Sequence, residues 1–486
     1  MTDQATMPTR RAADGRRRYA AIDLGASSGR VVVGEVAAGG LDIAEVHRFW
    51  NGPVRAPEGY RWDLLYLWRE ILTGLRQAAE QGPLVSIGID SWAIDYGLLD
   101  HDGILLGNPW HHRDGRTSGL AERLDARIPA DELYAINGLQ RLPFTTLYQV
   151  MASRASSMWV AVDQLLLIPD LLTLWLTGRR GAERTNASTT GLLDATTGTW
   201  SQRVLDAIDA PASLLPELRD PGDVVGPLLP TVQQATGLGP DVLVTCVGSH
   251  DTASAVVGVP ADDRASWAFI ACGTWALAGV EIDAPVLSEQ SRSANFTNEV
   301  GVDGTVRYLR NVMGLWVLSE TQRTWEAQGR GVGLVDLLTQ AESLPPGGPV
   351  IDIDDPSLLA PGDMQSRIEA LCRAGGLRVP DSPGATVRCI LDSLAAAFAR
   401  TVAEAARVSG TDVDVIHLVG GGSQNRLLCR LTAQASGLPV FAGPVEATAL
   451  GNVLVQARAH GDLEGSLADL RSVIRRTHEL VRYEPS

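Results

Sequence analysis

The chain has 486 residues, 57 of them acidic and 41 basic, with a net charge of −16, and every basic residue is an arginine. Without a lysine there is no Walker A loop, no protein-kinase lysine and no Schiff-base or pyridoxal chemistry, because each needs that amine. The acidic balance speaks against nucleic acid or an anionic membrane as a bulk partner, since both recruit basic surfaces.

In chain order, residues 1–18 are polar and Arg-rich with no apolar stretch, which predicts a disordered leader rather than a secretory signal. Asp3 and Asp14 also argue against a transit peptide. Residues 19–23 read as a short buried strand running into a Gly/Ser turn over 24–29. Strands over 30–36 and 41–48 complete a three-strand meander. Residues 64–80 carry a helical period. Residues 84–90 read as a buried strand, with 94–99 as its partner. Residues 118–200 are mostly helical patterns with Pro and Gly stops, and the Pro/Gly/Asp-rich stretch 214–239 reads as a connecting segment. A strand over 242–247 then ends at Ser249-His250-Asp251. Next come a strand over 266–272, the turn Gly273-Thr274-Trp275 and a returning strand over 276–282. A later strand, 415–419, is closed by Gly420-Gly421-Gly422. The strand–turn–strand unit therefore occurs twice.

A chain this long is expected to make roughly two to three domains. Its five cysteines, Cys246, Cys272, Cys372, Cys389 and Cys429, include no CxxC pair. They read as free buried thiols in a reducing cytoplasm, with a Cys372–Cys389 clip as the minor alternative. No 18-residue apolar run is present, so no membrane-spanning helix is expected.

Three turns have the make-up of phosphate loops. Asp23-Leu24-Gly25-Ala26-Ser27-Ser28-Gly29-Arg30 combines glycines, which let backbone N–H groups approach a polyphosphate, with hydroxyl donors. Asp23 ends a buried strand at the mouth of that turn, where a carboxylate can hold Mg²⁺ directly or through water. Gly273-Thr274 is the second turn and Gly420-Gly421-Gly422-Ser423-Gln424-Asn425 the third. Each alone is only a turn. In this order, with an acidic strand end in the first, they form the pattern of the actin/hexokinase/Hsp70-like ATPases, where two related domains close on ATP and no lysine is needed.

The chain resembles the FGGY carbohydrate kinases, in particular the branch that phosphorylates L-rhamnulose, over nearly all of residues 19–460. The blocks that carry the resemblance are the first phosphate turn, Ser86-Ile87-Gly88-Ile89-Asp90-Ser91-Trp92, Leu142-Pro143-Phe144-Thr145-Thr146-Leu147-Tyr148-Gln149, Thr185-Asn186-Ala187-Ser188-Thr189-Thr190 and Ser249-His250-Asp251-Thr252-Ala253-Ser254-Ala255. Further blocks are Gly273-Thr274-Trp275, Asn295-Phe296-Thr297-Asn298-Glu299, Asn311-Val312-Met313-Gly314-Leu315-Trp316 and Gly443-Pro444-Val445-Glu446-Ala447.

The resemblance implies an α/β fold of two ribonuclease-H-like domains around a central cleft. An N-terminal kinase domain over 19–241 would carry the sugar side and the first phosphate loop. A C-terminal one over 242–480 would carry the ATP side and the catalytic base. It also implies ATP-dependent transfer to the 1-hydroxyl of L-rhamnulose, with ATP as co-substrate and Mg²⁺ as cofactor. Asp251 then aligns with the catalytic base. Ala93, His250, Thr252 and Asn311 align with sugar positions. Ala26, Ser27, Ser28, Gly29, Arg30, Thr274, Ser319 and Gly421 align with ATP contacts, and Asp23 with the metal. Two positions depart from the family's habit: Ala93 stands where Gly is usual and Ser319 where Gln is usual. L-fuculose or L-xylulose is the alternative substrate. The expected partners are a small ketose and ATP alone, in a cytoplasmic monomer or homodimer.

The chemistry suits these residues. Phosphoryl transfer is mostly positioning and electrostatics, and a carboxylate that takes the attacking hydroxyl's proton contributes roughly 10²–10⁴-fold. Asp251 also reads as a helix N-cap, a role compatible with base catalysis. Asp90 and Asp95 near Trp92 are open between sugar contacts and carboxylates tied to backbone or to Arg113 and Arg116. Trp92 is open between a face for the sugar's methyl group and core packing. His111-His112 read as a loop pair, not a metal site. An actin-like or chaperone-type ATPase, and a sugar-sensing regulator, are the readings from other classes.

Overall fold

A run of residues buried on both faces makes the first strand, β1 (Arg17–Leu24), which turns antiparallel into β2 (Ser28–Ala37) and then β3 (Gly40–Trp50). The computed structural model describes residues 16–37, 40–262 and 264–485. The leader expected over 1–18 lies outside the described residues as far as residue 15. Arg17 and Arg18 are already strand, and Arg18 donates to Glu35 across the β1–β2 pair at 2.6 Å. The expected meander is thus present and begins two residues earlier.

By contact density the described chain divides into two units. The first comprises residues up to Pro129, Pro143–Gly258 and Thr448–Thr477. Its sheet adds β4 (Ser86–Ser91), β5 (Val224–Pro227) and β6 (Leu243–Thr245), in the order β5-β6-β4-β1-β2-β3. Strand β4 lies parallel to both β1 and β6. The expected pairing of 84–90 with 94–99 does not occur. Tyr96–Leu99 instead pairs with Gln164–Leu167 in a separate ribbon. The stretch 214–239, read as a connector, supplies the edge strand β5 and the helix Pro230–Thr236. Pairing with β6 overrides its local turn composition. Two short strands, Gln164–Leu167 and Ala182–Glu183, also interrupt the expected helical run over 118–200.

The helix Leu64–Glu80 buries Leu64, Leu67, Ile71, Leu75 and Ala78 on one face. Its N-cap Asp63 accepts from Tyr66 N at 3.1 Å. That face joins Ile22, Val31 and Ile89 in the first unit's core, and each such side chain contributes about 1.5–3 kcal/mol by leaving water. The helix Asp251–Val257 also belongs to this unit, so Gly258 closes the middle segment rather than residue 241. The later helix Ala447–Ala459 packs against it at Gly451, where any side chain would run into the Ser254 carbonyl.

The second unit comprises Ala130–Leu142, Val259–Ala447 and the residues from His478 on. Its strands are β7 (Trp267–Cys272), β8 (Trp275–Ile282), β9 (Thr297–Val300), β10 (Val306–Met313), β11 (Val415–Val419), β12 (Val440–Ala442) and β13 (Val481–Tyr483). They lie in the order β9-β10-β8-β7-β11-β12-β13. The helix Pro383–Ser409 starts with Pro at its first turn, is capped by Ser382 and ends at Gly410, φ 72°. It buries Ile390, Leu391, Leu394, Phe398 and Val402 in this unit's core. Cys372 and Cys389 are buried free thiols on two helices, Met364–Ala374 and Pro383–Ser409. Among the described residues no helix is long and apolar enough to cross a membrane.

Candidate functional site

In the first unit the ends of β1 and β4 place two carboxylates side by side, because Asp23 and Asp90 are register partners. Ser91 N then donates to Ser249 O at 2.9 Å, and Ser91 forms a parallel bridge with His250. The chain leaving β6 therefore delivers Asp251 to the same edge. Asp251 is the first residue of its helix, and its side chain is 30% exposed. Thr252 Oγ1 donates to Asp251 Oδ1 at 3.1 Å, and His250 Nε2 lies 3.4 Å from the same oxygen.

Burial raises the Asp251 carboxyl above the usual range, and the charge of Asp23 adds to that against the opposing pull of His250. Burial drives Asp90 higher still, assisted by Asp23 and Asp251 and opposed by a 2.6 Å bond from Asn452 Nδ2. Asp90 Oδ1 is buried with no hydrogen-bond partner. Asp23 accepts from Arg30 Nε at 2.9 Å and Nη2 at 2.6 Å, so part of that guanidinium is already engaged.

The turn between β1 and β2 is closed by Gly25 N donating to Ser28 O at 2.9 Å. Ser27 is exposed and Ala26 and Ser28 half-buried, whereas Gly29 is buried under the Phe49 ring and has no room for a side chain. Asn51 grips the turn: its Nδ2 donates to Gly25 O at 2.6 Å and its backbone N to Ser27 O at 3.2 Å.

Beyond β4, Trp92 is buried with its ring 4.0 Å from that of Trp62, so its face serves the core. Asp95 is fully buried and accepts from Trp62 Nε1 at 2.7 Å, Trp92 Nε1 at 3.1 Å, His112 Nδ1 at 2.9 Å and Gln149 Nε2 at 2.8 Å. Burial would raise this carboxyl, but His112, His111 and Gln149 outweigh it and hold it low. Its partners are indoles, an imidazole and an amide rather than Arg113 or Arg116. His111 stacks on Trp62 at 4.2 Å, and burial lowers it to about 2. Ala93, half-buried, leads into Ile94, whose φ of 67° is strained for a β-branched residue. Asp95 N donates to Ala93 O at 2.8 Å, closing a γ-turn on Ile94, and Thr146 Oγ1 holds the Ile94 carbonyl at 2.7 Å.

The second unit gathers the other turns at one edge of its sheet. Gly273 N donates to Trp275 O at 2.8 Å, and Leu315 N and Trp316 N donate to Gly273 O and Thr274 O, each at 3.0 Å. Gly314 permits that approach, since a Cβ there would lie 2.5 Å from Trp275 C and 2.7 Å from Ala276 N. The Asn311–Trp316 block is thereby explained: β10 ends on the second turn. The exposed Ser319 follows on the helix Trp316–Ala327. Strand β11 lies parallel to β7, so Gly420–Gly422 emerge beside the same turn. Gly420 has φ 82°, and Gly422 sits against Cys272 while Gly421 is exposed. Asn311, also in this unit, donates N and Nδ2 to Gln140 Oε1 at 2.9 and 3.0 Å.

Sequence reading missed Asn51, Asn452, Gln456 and Glu183. Gln456 accepts from Ser86 Oγ at 2.6 Å and donates to Ala20 O at 3.0 Å and Asn452 Oδ1 at 2.6 Å, which anchors β1 and β4 from a helix far along the chain. Polar residues at a four-residue spacing inside the otherwise apolar helix Ala447–Ala459 were the available signal.

Residues 18–258 match the N-terminal domain model of the FGGY family of carbohydrate kinases, and residues 268–460 its C-terminal domain model. The chain is 39% identical to a rhamnulokinase of Bacteroides thetaiotaomicron over 97% of its own length and 96% of the relative's. It is 41% identical to a rhamnulokinase of Pectobacterium carotovorum, over 96% and 93%. The fold is that of the xylulose kinase of Lactobacillus acidophilus, at TM-score 0.79 and 17% identity over 97% of this chain and 94% of that one. The glycerol kinase of Plasmodium falciparum gives TM-score 0.76 at 15% identity, over 96% and 94%.

Proposed function

Since this chain belongs to the FGGY family of carbohydrate kinases, we propose that it transfers the γ-phosphate of ATP to the 1-hydroxyl of L-rhamnulose, giving L-rhamnulose 1-phosphate and ADP. The observation that carries this reading is near-full-length identity with several proteins named rhamnulokinase. The two units serve as the N- and C-terminal kinase domains, and the reaction takes place in the cytoplasm in a monomer or homodimer.

Asp251 is the general base. It accepts the proton of the 1-hydroxyl as that oxygen bonds to phosphorus, and its raised basicity makes it a better acceptor than an ordinary carboxylate. His250, Thr252, Ala93 and Asn311 hold the ketose. Thr252 also orients the Asp251 carboxylate through their hydrogen bond. Ala26 to Arg30 cradle the phosphates with backbone N–H groups and the two serine hydroxyls. Thr274, Ser319 and Gly421 contact the rest of the nucleotide.

The donor set suits Mg²⁺. Asp23 would hold the ion through a hard carboxylate oxygen, and its register partner Asp90 presents an Oδ1 with no protein partner. When bound, Mg²⁺ supplies charge neutralisation at the phosphates.

The test is a coupled ADP-release assay over L-rhamnulose, L-fuculose and L-xylulose. L-rhamnulose is expected to give the highest kcat/KM. A preference of more than about tenfold, 1.4 kcal/mol, for another ketose overturns the substrate.

A further inference from the structure

Glu183 lies outside every group so far given a role, and it is buried with 1% of its surface exposed. Its carboxylate collects five donors. Thr185 N reaches Oε1 at 2.8 Å. Thr185 Oγ1 at 2.6 Å, Asn186 N at 3.2 Å, Ser249 N at 2.9 Å and Ser249 Oγ at 2.6 Å all reach Oε2. Two segments far apart in sequence are thus tied to one side chain. One is the Thr185–Thr190 block, and the other is the loop that carries Asp251. The tie is reinforced directly, since His250 N donates to Thr185 Oγ1 at 3.3 Å and Asn186 Nδ2 to Ser249 O at 3.4 Å.

We infer that Glu183 is the positioning residue of the Asp251 base, tying the Ser249–Asp251 loop to the Thr185–Thr190 block through two bonds from Ser249 and three from Thr185 and Asn186. This rests on the assignment of Asp251 as base. Glu183 touches neither reacting group. It acts through Ser249, two residues before the base.

The arrangement requires Glu183 to be ionised, because five donors converge on it and a protonated carboxyl would turn its own O–H towards them. A second buried acid stands next to it. Asp170, on the helix Ile168–Thr177, accepts from Glu183 N at 3.0 Å through Oδ1, while its Oδ2 is buried without a partner. Burial and the neighbouring charge of Glu183 push Asp170 well up, so Asp170 keeps the proton and Glu183 the charge. The other titratable and charged groups nearby are Cys246, which burial and both acids push up, Arg219, the strand partner of Glu183, and Asp223. Burial also raises Glu183, against the donors from Ser249 and Thr185. On acidification Glu183 takes up a proton, loses acceptor capacity and loosens the loop. The acid side of the rate profile then depends on two carboxylates, Asp251 and Glu183.

The experiment compares the full-length wild type with Glu183→Gln and Ser249→Ala, using L-rhamnulose and ATP, with steady-state kinetics from pH 5 to 8 and nucleotide titration to report folding. Glu183→Gln is expected to lower kcat roughly 10- to 100-fold, the scale of a sub-ångström to ångström displacement of a catalytic group. The KM for ATP should stay within about twofold. Ser249→Ala, which removes one donor and leaves the carboxylate, should lower kcat less. The acid limb of kcat/KM should be steeper in the wild type than in Glu183→Gln. A Glu183→Gln kcat equal to that of the wild type, or identical acid limbs, overturns the positioning role alone. A wild type that phosphorylates no ketose overturns the proposed function together with it.

Discussion

The two sheets share one plan. In the first unit β2 and β3 extend antiparallel from β1, while β4 and β6 extend parallel on its other side and β5 closes antiparallel. In the second, β8 and β10 extend antiparallel from β7, β11 and β12 lie parallel, and β13 closes antiparallel. The turns correspond too, with Gly25 bonded to Ser28 in one and Gly273 to Trp275 in the other. Aligned on those glycines, Asp23 matches Ala271. Their parallel partners are Asp90 and Val419. One backbone frame thus carries paired carboxylates in one copy and paired apolar residues in the other. The chemistry is divided by side chains at two register positions. Under the proposed roles the acidic copy handles the proton and the metal, while the glycine turns of both copies offer close backbone approach to an anion.

The strongest test of that division is Asp251→Asn. We expect phosphoryl transfer to fall by roughly 10²–10⁴-fold in the ADP-release assay, with nucleotide affinity unchanged because none of the proposed phosphate turns is altered. The reciprocal test is Gly314→Ala. Its methyl would press on backbone at the second turn, so we expect the KM for ATP to rise about tenfold while the KM for ketose moves less, together with a stability loss of about 1–3 kcal/mol. A kcat loss in Gly314→Ala as large as that in Asp251→Asn would break the division.

Asp90→Asn sharpens the electrostatic side. Its carboxyl is raised in the folded protein, so between the ordinary value of 3.8 and the raised one the folded state holds more protons than the unfolded state. Stability therefore falls as pH rises through that window, because ionising the buried carboxyl is a net burden. The neutral variant should melt higher than the wild type, by a larger margin at pH 8 than at pH 4, in a thermal unfolding series. The smallest effect is expected from Asn51→Ala. Losing the 2.6 Å bond to Gly25 O should cost about 1 kcal/mol and raise the KM for ATP several-fold, with kcat retained.

Much of this was readable in the sequence because it is local. Short apolar runs and the Gly/Ser turns that end them placed β1, β2, β7, β8 and β11. The short motifs named Asp23, Asp251, Thr274 and Gly421, and the ordered blocks named the family. What escaped was set by contacts between distant segments. Val224–Pro227 looks like a loop until β6 offers it a ladder. Ile94, a residue that locally favours a strand, is forced to positive φ by the bonds on either side of it. Trp92 and Asp95, open on sequence grounds, are spent on Trp62, His112 and Gln149.

Composition and pattern were enough to settle that this chain works without lysine and which family it belongs to, and to single out the glycine-rich turns as its candidate phosphate sites, since motifs and periodicity are properties of neighbouring residues. Tertiary structure alone decided which carboxylates stand together and which are neutralised by partners. It also decided which buried side chains, Glu183 and Asn452 among them, hold the others in place. A carboxylate's protonation and reach depend on its burial and on the charges around it, and those come from strands and helices that meet only when the chain is folded.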